Sequence, residues 1–215
     1  EIKKLGKMKV GILRIKGVDK RIEKLFDESL DFMKSDDKFK GWEFKEIDIK
    51  YIDLAVETYY PLVYSEFYSA TRRFDGRRYG YKIEEKCGEE VLRRILGGSV
   101  ITKAEFAGQY YEKALKIKEL IAKEFEEAFE KYDCIILPTV PSLPWKIGHG
   151  KEMKPEEEYA YDALTIPANL AGICSVSIPM GEVEEGKERV PVGMQVMCGK
   201  GEEGKMLSIT KMIGE

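Results

Sequence analysis

The fold class is decided by residues 8–49, which read MKVGILRIKGVDKRIEKLFDESLDFMKSDDKFKGWEFKEIDI. Residues 8–13 form a short apolar run, which is typical of a buried strand. Asp19 is a candidate N-cap for a helix, because apolar residues recur after it at three- and four-residue steps. Residues 42–49 then alternate apolar and polar side chains, which predicts a second strand with an irregularity near Lys45. Strand, helix and strand joined by short links favour a parallel βαβ unit.

The rest of the chain continues this alternation of helices and strands. The further predicted elements are an aromatic-rich helix at 52–71, a short helix at 88–96 ending at Gly97-Gly98, a long amphipathic helix at 106–128, a buried strand at 132–137, a loop at 142–158, a helix at 159–164, a small-residue turn at 167–172, strands at 175–179 and 192–197 joined by a charged loop at 182–189, and a final helix at 204–213. The order predicts an α/β fold, in which a mixed sheet carries helices on both faces and residues 1–215 form part of a domain.

Composition narrows the class of protein. Hydrophobic residues make up 43% of the 215 and charged residues 35%, which suits a soluble globular protein and argues against disorder. The net charge of −3 gives the whole chain no attraction for nucleic acid, so any contact with RNA is expected to be local or made by a partner. The start of the sequence has no apolar signal region, and no run approaches the roughly 18 apolar residues of a membrane span. The expected location is the cytoplasm.

The cysteines and the one histidine give no familiar catalytic or metal-binding pattern. Cys87, Cys134, Cys174 and Cys198 lie far apart, and none belongs to a C-x-x-C pair. Three of them lie in apolar segments, which is typical of reduced, buried thiols. His149 lies in a glycine- and lysine-rich loop and would have to carry a histidine mechanism alone. The sequence therefore predicts neither a metal site nor a histidine-based active site.

Four sequence blocks carry the functional signal, since the chain has no P-loop, dinucleotide fingerprint, zinc signature or nucleophile elbow. The blocks are SEFYSATRRFDGRRYG at 65–80, GEEVLRRILGG at 88–98, YDCIILPTVP at 132–141, and DALTIPANLAG at 162–172 followed by PVGMQV at 191–196. In this order they resemble the C-terminal half of proteins of the amidase signature family. The last block is common to many of its enzymes, whereas the first two resemble its tRNA-dependent amidotransferase branch in particular.

The resemblance implies the C-terminal half of the amidase signature fold, without the family's catalytic centre. That centre is a Ser–cis-Ser–Lys triad in a Gly/Ser-rich segment of the N-terminal half, where backbone N–H groups stabilise the oxyanion. Nothing in this chain matches that segment, because Gly97-Gly98-Ser99 is too short and lies within another block. No catalytic residue is therefore expected here, and the chain is expected to be inactive alone. It is expected to be a split-gene product, a fragment, or one part of a longer chain.

The resemblance also implies substrate-binding roles for two charged residues. Arg94 matches the family arginine that holds the α-carboxylate of glutamine, a group that a planar guanidinium binds through paired hydrogen bonds. Asp162 matches the aspartate that takes the α-amino group. From the residues alone, both would be interpreted as surface or capping residues, because charged side chains usually lie at the surface. Arg73 and Asp75 are expected to form a structural ion pair and a tight turn, which an Asp-Gly pair favours.

The resemblance further implies a larger glutamine-hydrolysing assembly. Its expected partners are the N-terminal half of the glutaminase, the B and C subunits of the amidotransferase, and misacylated tRNA, which is reached through the B-type partner. Ammonia from glutamine would convert Glu-tRNA(Gln), Asp-tRNA(Asn) or both to the amidated forms. ATP and Mg²⁺ are expected in the partner, with no cofactor in this chain. Two alternatives stay open: half of another amidase signature hydrolase, or a non-catalytic assembly module.

Overall fold

The computed structural model describes residues 5–106, 108–148 and 154–214. The main elements in chain order are β1 (Met8–Leu13), α1 (Lys20–Ser35), β2 (Trp42–Ile47), α2 (Ala55–Thr71), α3 (Glu89–Ile101), α4 (Tyr111–Phe129), β3 (Cys134–Pro138), α5 (Pro155–Ala160), α6 (Ile166–Ala171), β4 (Cys174–Glu185), β5 (Glu188–Cys198) and α7 (Glu203–Gly214). The chain folds into two compact units. The first contains Glu1–Asp53 and Ile121–Glu215, and the second contains Leu54–Leu120. Among the described helices, none has both the length and the apolar character needed to cross a membrane.

The first unit contains a five-stranded mixed sheet in the order β2-β1-β3-β5-β4. Strand β1 pairs in parallel with both β2 and β3, whereas β5 is antiparallel to β3 and β4. The predicted α/β fold and parallel βαβ unit are thus confirmed. The irregularity predicted near Lys45 is wrong, because Lys45 keeps its place opposite Gly11 in a register without shifts.

Helix α1 packs its apolar stripe onto this sheet. Asp19 caps the helix as predicted, since its carboxylate accepts the backbone N–H of Arg21 at 2.8 Å. Phe26, Leu30 and Met33 lie in one core cluster with alternate residues of β1, β3 and β5 and with residues of α7. The alternation of side chains along a strand sends Ile135 and Leu137 of β3 to the opposite face, where both are also fully buried. The sheet is therefore covered on both faces where β3 crosses it.

Helices α2 and α3 form the core of the second unit. Helix α3 runs through both glycines to Ile101, so the prediction that it ends at Gly97-Gly98 is wrong. The glycines serve close packing instead. A Cβ at Gly98 would overlap the backbone carbonyl oxygen of Tyr64 and lie 2.5 Å from the Cβ of Tyr68. Glycine at this position allows α3 to approach the backbone of α2.

The C-terminal hairpin is longer than predicted. Pairing between β4 and β5 continues to Glu185↔Glu188, so residues 182–189 form strand ends and a tight turn instead of a charged loop. The charges are compatible with strands because the hairpin tip is exposed and Arg189 Nε lies 2.8 Å from Glu182 Oε2 on the facing strand.

Two predictions between the loop and the hairpin also need correction. The helix predicted at 159–164 occurs earlier, as α5, and is followed by turns. The turn predicted at 167–172 is mostly the helix α6, which ends at Gly172 in a left-handed conformation (φ 66°). Pro167 is tolerated there because the first helical turn needs no donor from its backbone.

Burial keeps two of the cysteine thiols protonated. Cys134 and Cys198 are fully buried. Burial raises the pKa of Cys134 far above its ordinary range and that of Cys198 to about 12.

At about pH 8.5, near the ordinary thiol pKa, we expect an alkylating reagent to leave Cys134 and Cys198 unmodified in the folded chain and to label the half-buried Cys87. The thiolate is the reactive form and is scarce at the buried sites. Peptide mass spectrometry measures this, and rapid native labelling of Cys198 would contradict it.

Candidate functional site

Arg94 lies on α3 in the second unit, in a half-buried position. Its Nε–H donates to Glu90 Oε1 at 2.8 Å, one helical turn earlier, and 31% of the side chain is exposed. Glu90 also pairs with Arg93, so one carboxylate holds two neighbouring guanidinium groups. Next to Arg94, Ile95 is buried and anchors the helix in its unit. The ion pair restrains the arginine side chain.

Asp162 lies in the first unit, in a turn that precedes α6. The residue is exposed. Its carbonyl oxygen accepts the backbone N–H groups of Thr165 and Ile166, each at 3.0 Å, which closes the turn. The ring of Tyr161 packs on Trp145 with 4.8 Å between ring centroids. Burial, and then the negative charge of Asp162, raises the pKa of Tyr161.

This turn is attached to the sheet through Gln195 of β5. The side chain of Gln195 is buried, at 3% exposure, and its Nε2 donates to the carbonyl oxygen of Leu164 at 2.8 Å. Its Oε1 accepts the hydroxyl of Ser175 on β4 at 2.7 Å. Within the same segment, Nδ2 of Asn169 on α6 donates to the carbonyl oxygen of Thr165 at 2.9 Å, which links the helix to the end of the turn. The amide side chain of Gln195 therefore joins the sheet to the turn.

Sequence reasoning missed Gln195 and Asn169 as individual residues. Both stood in the quoted blocks but were given no role. The available signal was a primary amide inside the apolar run of β5, where Val192, Met194 and Val196 are all buried. A polar group in such a run costs free energy unless it is hydrogen-bonded, so it points to a specific partner.

A polar cleft of about 280 Å³ opens beside the turn. At one side of it, the hydroxyl oxygens of Thr139 and Ser177 lie 2.6 Å apart. A Cβ on Gly193 would lie 2.5 Å from the hydroxyl oxygen of Ser177 and 2.8 Å from that of Thr139, so glycine makes room for the pair. The cleft is lined by Thr139, Thr165, Ala168, Asn169, Ile173, Ser175, Val176, Ser177 and Gln195. These lining groups are neutral, so the cleft can hydrogen-bond a polar molecule but offers no base to activate a hydroxyl.

The loop after α2 has a structural arrangement. Asp75 accepts the backbone N–H groups of Arg77 and Arg78, each at 2.9 Å, and these bonds lower the pKa of its carboxyl group. The predicted tight turn is confirmed. The predicted ion pair is wrong, since no salt bridge joins Arg73 to Asp75 among the described residues. The neighbouring Arg72 instead pairs with Glu84 at 2.5 Å.

The remaining site predictions stay predictions. Arg94 belongs to the second unit and Asp162 to the first. Their cooperation in one amino-acid pocket is an expectation from the resemblance. His149 lies outside the described residues.

Comparison with known proteins gives matches along nearly the whole chain. The family model described as Amidase matches residues 1–207. The A-type subunit of the glutamyl-tRNA(Gln) amidotransferase of Methanocaldococcus jannaschii is 42% identical over 210 residues, which cover 97% of this chain and 46% of that protein. The crystal structure of the corresponding glutamyl-tRNA(Gln) amidotransferase polypeptide from Thermotoga maritima matches with a TM-score of 0.70 and 30% identity, over 96% of this chain and 42% of that one.

A more distant structure shares the fold alone. The 6-aminohexanoate cyclic dimer hydrolase complexed with substrate matches with a TM-score of 0.77 at 17% identity, over 99% of this chain and 45% of that one. The chain thus spans less than half the length of the proteins it matches, and it matches them over almost all of its own length.

Proposed function

This chain belongs to the amidase family, and from that premise we propose that it supplies the glutamine-binding half of a tRNA-dependent amidotransferase glutaminase. The observation that carries the proposal is the 42% identity, over 97% of the chain, to the A-type polypeptide of a glutamyl-tRNA(Gln) amidotransferase. In this proposal the released ammonia amidates Glu-tRNA(Gln), Asp-tRNA(Asn) or both.

The proposed contribution of this chain is recognition of the α-amino acid. Glutamine carries an α-carboxylate and an α-ammonium group, so its selective binding needs one fixed cation and one fixed anion. Arg94, held by Glu90, takes the carboxylate, and Asp162, held by its closed turn, takes the ammonium group. Both residues stand at the positions of the family blocks, and each has a local contact that restrains it.

The bond-breaking chemistry is assigned to the other half of the glutaminase. A Ser–cis-Ser–Lys triad there attacks the side-chain amide, and backbone N–H groups stabilise the oxyanion. Ammonia then passes to a B-type partner, where ATP and Mg²⁺ activate the misacylated tRNA. A C-type partner completes the assembly, which works in the cytoplasm.

Two other functions are distinguished by simple observations. Another amidase signature hydrolase would use an amide without an α-amino acid group, and its activity would not depend on Arg94 and Asp162. A non-catalytic assembly module would gain no glutaminase activity from any N-terminal half. Reconstitution with an N-terminal half, tested on glutamine and on an amide without an α-amino acid group, therefore separates the three functions.

We expect the purified 215-residue chain to release no ammonia from glutamine, because the proposed nucleophile lies in the other half. Mixing it with an N-terminal half that carries the triad should give measurable ammonia release, detected by a coupled glutamate assay. The matched control is the same mixture with the nucleophilic serine of the N-terminal half replaced by alanine, which should stay inactive. Glutamine hydrolysis by the purified chain alone would overturn this division of labour.

A further inference from the structure

We infer that Gln195 is a positioning residue for substrate recognition, because it fixes the turn that carries Asp162 to the central sheet. The inference rests on the proposed function, in which Asp162 binds the α-ammonium group of glutamine. It adds a residue on β5 to the recognition apparatus, although that residue belongs to the buried sheet.

The contacts of Gln195 use both ends of its amide. The Nε2 group donates to the carbonyl oxygen of Leu164 at 2.8 Å, and Oε1 accepts from Ser175 at 2.7 Å. The reversed orientation would place the amide oxygen against the Leu164 carbonyl oxygen, where neither can donate. The two partners therefore select one orientation of the side chain, which ties β4 and β5 to the turn.

The connection to Asp162 is short and stiff. Leu164 follows Asp162 by two residues, and its side chain is buried, at 1% exposure. The N–H groups of Thr165 and Ile166 both return to the carbonyl oxygen of Asp162. Hydrogen bonds thus hold the carbonyl groups of Asp162 and Leu164, and the anchor at Leu164 limits where the Asp162 carboxylate can lie. A binding group misplaced by about 1 Å loses much of its value, so such support is functional.

The alternative is that Gln195 merely satisfies a buried carbonyl group and stabilises the fold. Both roles predict a loss of stability when the amide is removed. They differ in substrate selectivity, because a role in stability alone would not change how the enzyme distinguishes substrates with and without an α-amino group. Selectivity is therefore the informative measurement.

The experiment compares glutamine with glutaric acid monoamide, which lacks the α-amino group, in the assembled glutaminase. The measured quantity is the ratio of kcat/KM for the two amides. We expect Gln195→Met, which keeps the side-chain length without the amide, to reduce this ratio about tenfold or more while hydrolysis of the monoamide continues. A tenfold change corresponds to about 1.4 kcal/mol, close to the smallest free energy expected when a hydrogen bond between charged groups, here Asp162 and the ammonium group, is lost.

The control variant is Ser208→Ala. Ser208 is as buried as Gln195, at 3% exposure, and its hydroxyl donates to the carbonyl oxygen of Gly204 at 2.7 Å within α7. Its loss should lower stability without changing the ratio. A ratio that falls equally in this control would show a general effect of destabilisation and overturn the inference.

Asp162→Asn separates failure of the inference from failure of the proposed function. If Asp162→Asn leaves the ratio unchanged, Asp162 does not bind the ammonium group and the proposed recognition fails. If Asp162→Asn reduces the ratio but Gln195→Met does not, Gln195 is a structural residue and the inference alone fails. Should Gln195→Met not assemble, Ser175→Ala removes one of the two amide contacts, and an unchanged ratio in that variant would also count against the inference.

Discussion

Replacing Arg94 by alanine is expected to reduce glutamine-dependent amidation by the assembled enzyme about 100-fold or more. A guanidinium donates a pair of charge-assisted hydrogen bonds to a carboxylate, and hydrogen bonds to charged groups contribute about 1.5–3 kcal/mol each. A loss of about 3 kcal/mol corresponds to about two orders of magnitude, because each 1.4 kcal/mol is a factor of ten. The measurement is kcat/KM for glutamine at fixed concentrations of tRNA and ATP.

Ammonia as nitrogen source provides the decisive comparison. In the proposed assembly, free ammonia bypasses the glutamine pocket, so ammonia-dependent amidation should continue in Arg94→Ala. Equal loss of both activities would mean that Arg94 is structural, and loss of neither would mean that the alignment of this block is wrong. Arg94→Lys should also be impaired, because an ammonium group keeps the charge and loses the planar fork.

The neighbouring Arg93 offers a matched control for this experiment. It lies on the same helix, pairs with the same Glu90 and has a slightly more exposed side chain, at 41% against 31%. Arg93→Ala should therefore disturb the local ion pairs as much as Arg94→Ala does. We expect it to retain glutamine use, and a comparable loss would assign the effect to the ion-pair network.

Replacing Gly98 by alanine is expected to destabilise the second unit by about 2 kcal/mol or more. An alanine in a helix interior normally gains about 1 kcal/mol over glycine. At Gly98 the added Cβ would overlap the backbone carbonyl oxygen of Tyr64, which cannot move without shifting α2. Overpacking costs about 1–3 kcal/mol and sometimes more, and overlap with a backbone atom belongs at the upper end of this range, so about 2 kcal/mol or more remains after the helix gain is subtracted. Thermal unfolding followed by the helix signal in far-ultraviolet circular dichroism measures the change.

Gly97→Ala is the matched control for the same helix. Its Cβ would lie 2.6 Å from Cδ2 of Tyr64, which belongs to a side chain that can rotate. The helix propensity of alanine should then offset most of the contact, and the midpoint of unfolding should change little. If both variants raised the midpoint, the close approach of α3 to α2 at Gly98 would be disproved.

The sequence predicted the fold well where periodicity and caps agree. The β1–α1–β2 unit follows from an apolar run, an Asp19 cap and an alternating strand, all local signals. The prediction that a helix ends at Gly97-Gly98 was wrong, because it rested on the usual role of paired glycines as a helix end. Here Gly98 allows close contact with another helix. The hairpin tip at 182–189 was missed because exposed strands can carry as many charges as a loop.

The candidate site depended on resemblance more than on local pattern. Arg94 and Asp162 are ordinary charged residues in composition, and their roles came from the family blocks. Gln195 donates to a carbonyl group 31 positions earlier, at Leu164, a contact that no local pattern reveals. The supporting residues of a site become visible when the chain is folded, since they are defined by contacts between distant segments.

The parallel centre of the sheet has a consequence for how the chain acquires its structure. The backbone N–H of Lys9, in β1, donates to the carboxylate of Asp133, 124 positions later, whereas the β4–β5 hairpin closes between Glu185 and Glu188. Closing a long loop carries a larger entropic cost than closing a hairpin, so on refolding of the complete chain the hairpin should form before the β1–β3 ladder. Ribosomes add about 5–20 residues per second, so a newly made β1 waits about 6–25 s for β3. During that interval the edge of β1 that later pairs with β3 is exposed, and chaperone binding to nascent chains is expected to concentrate there.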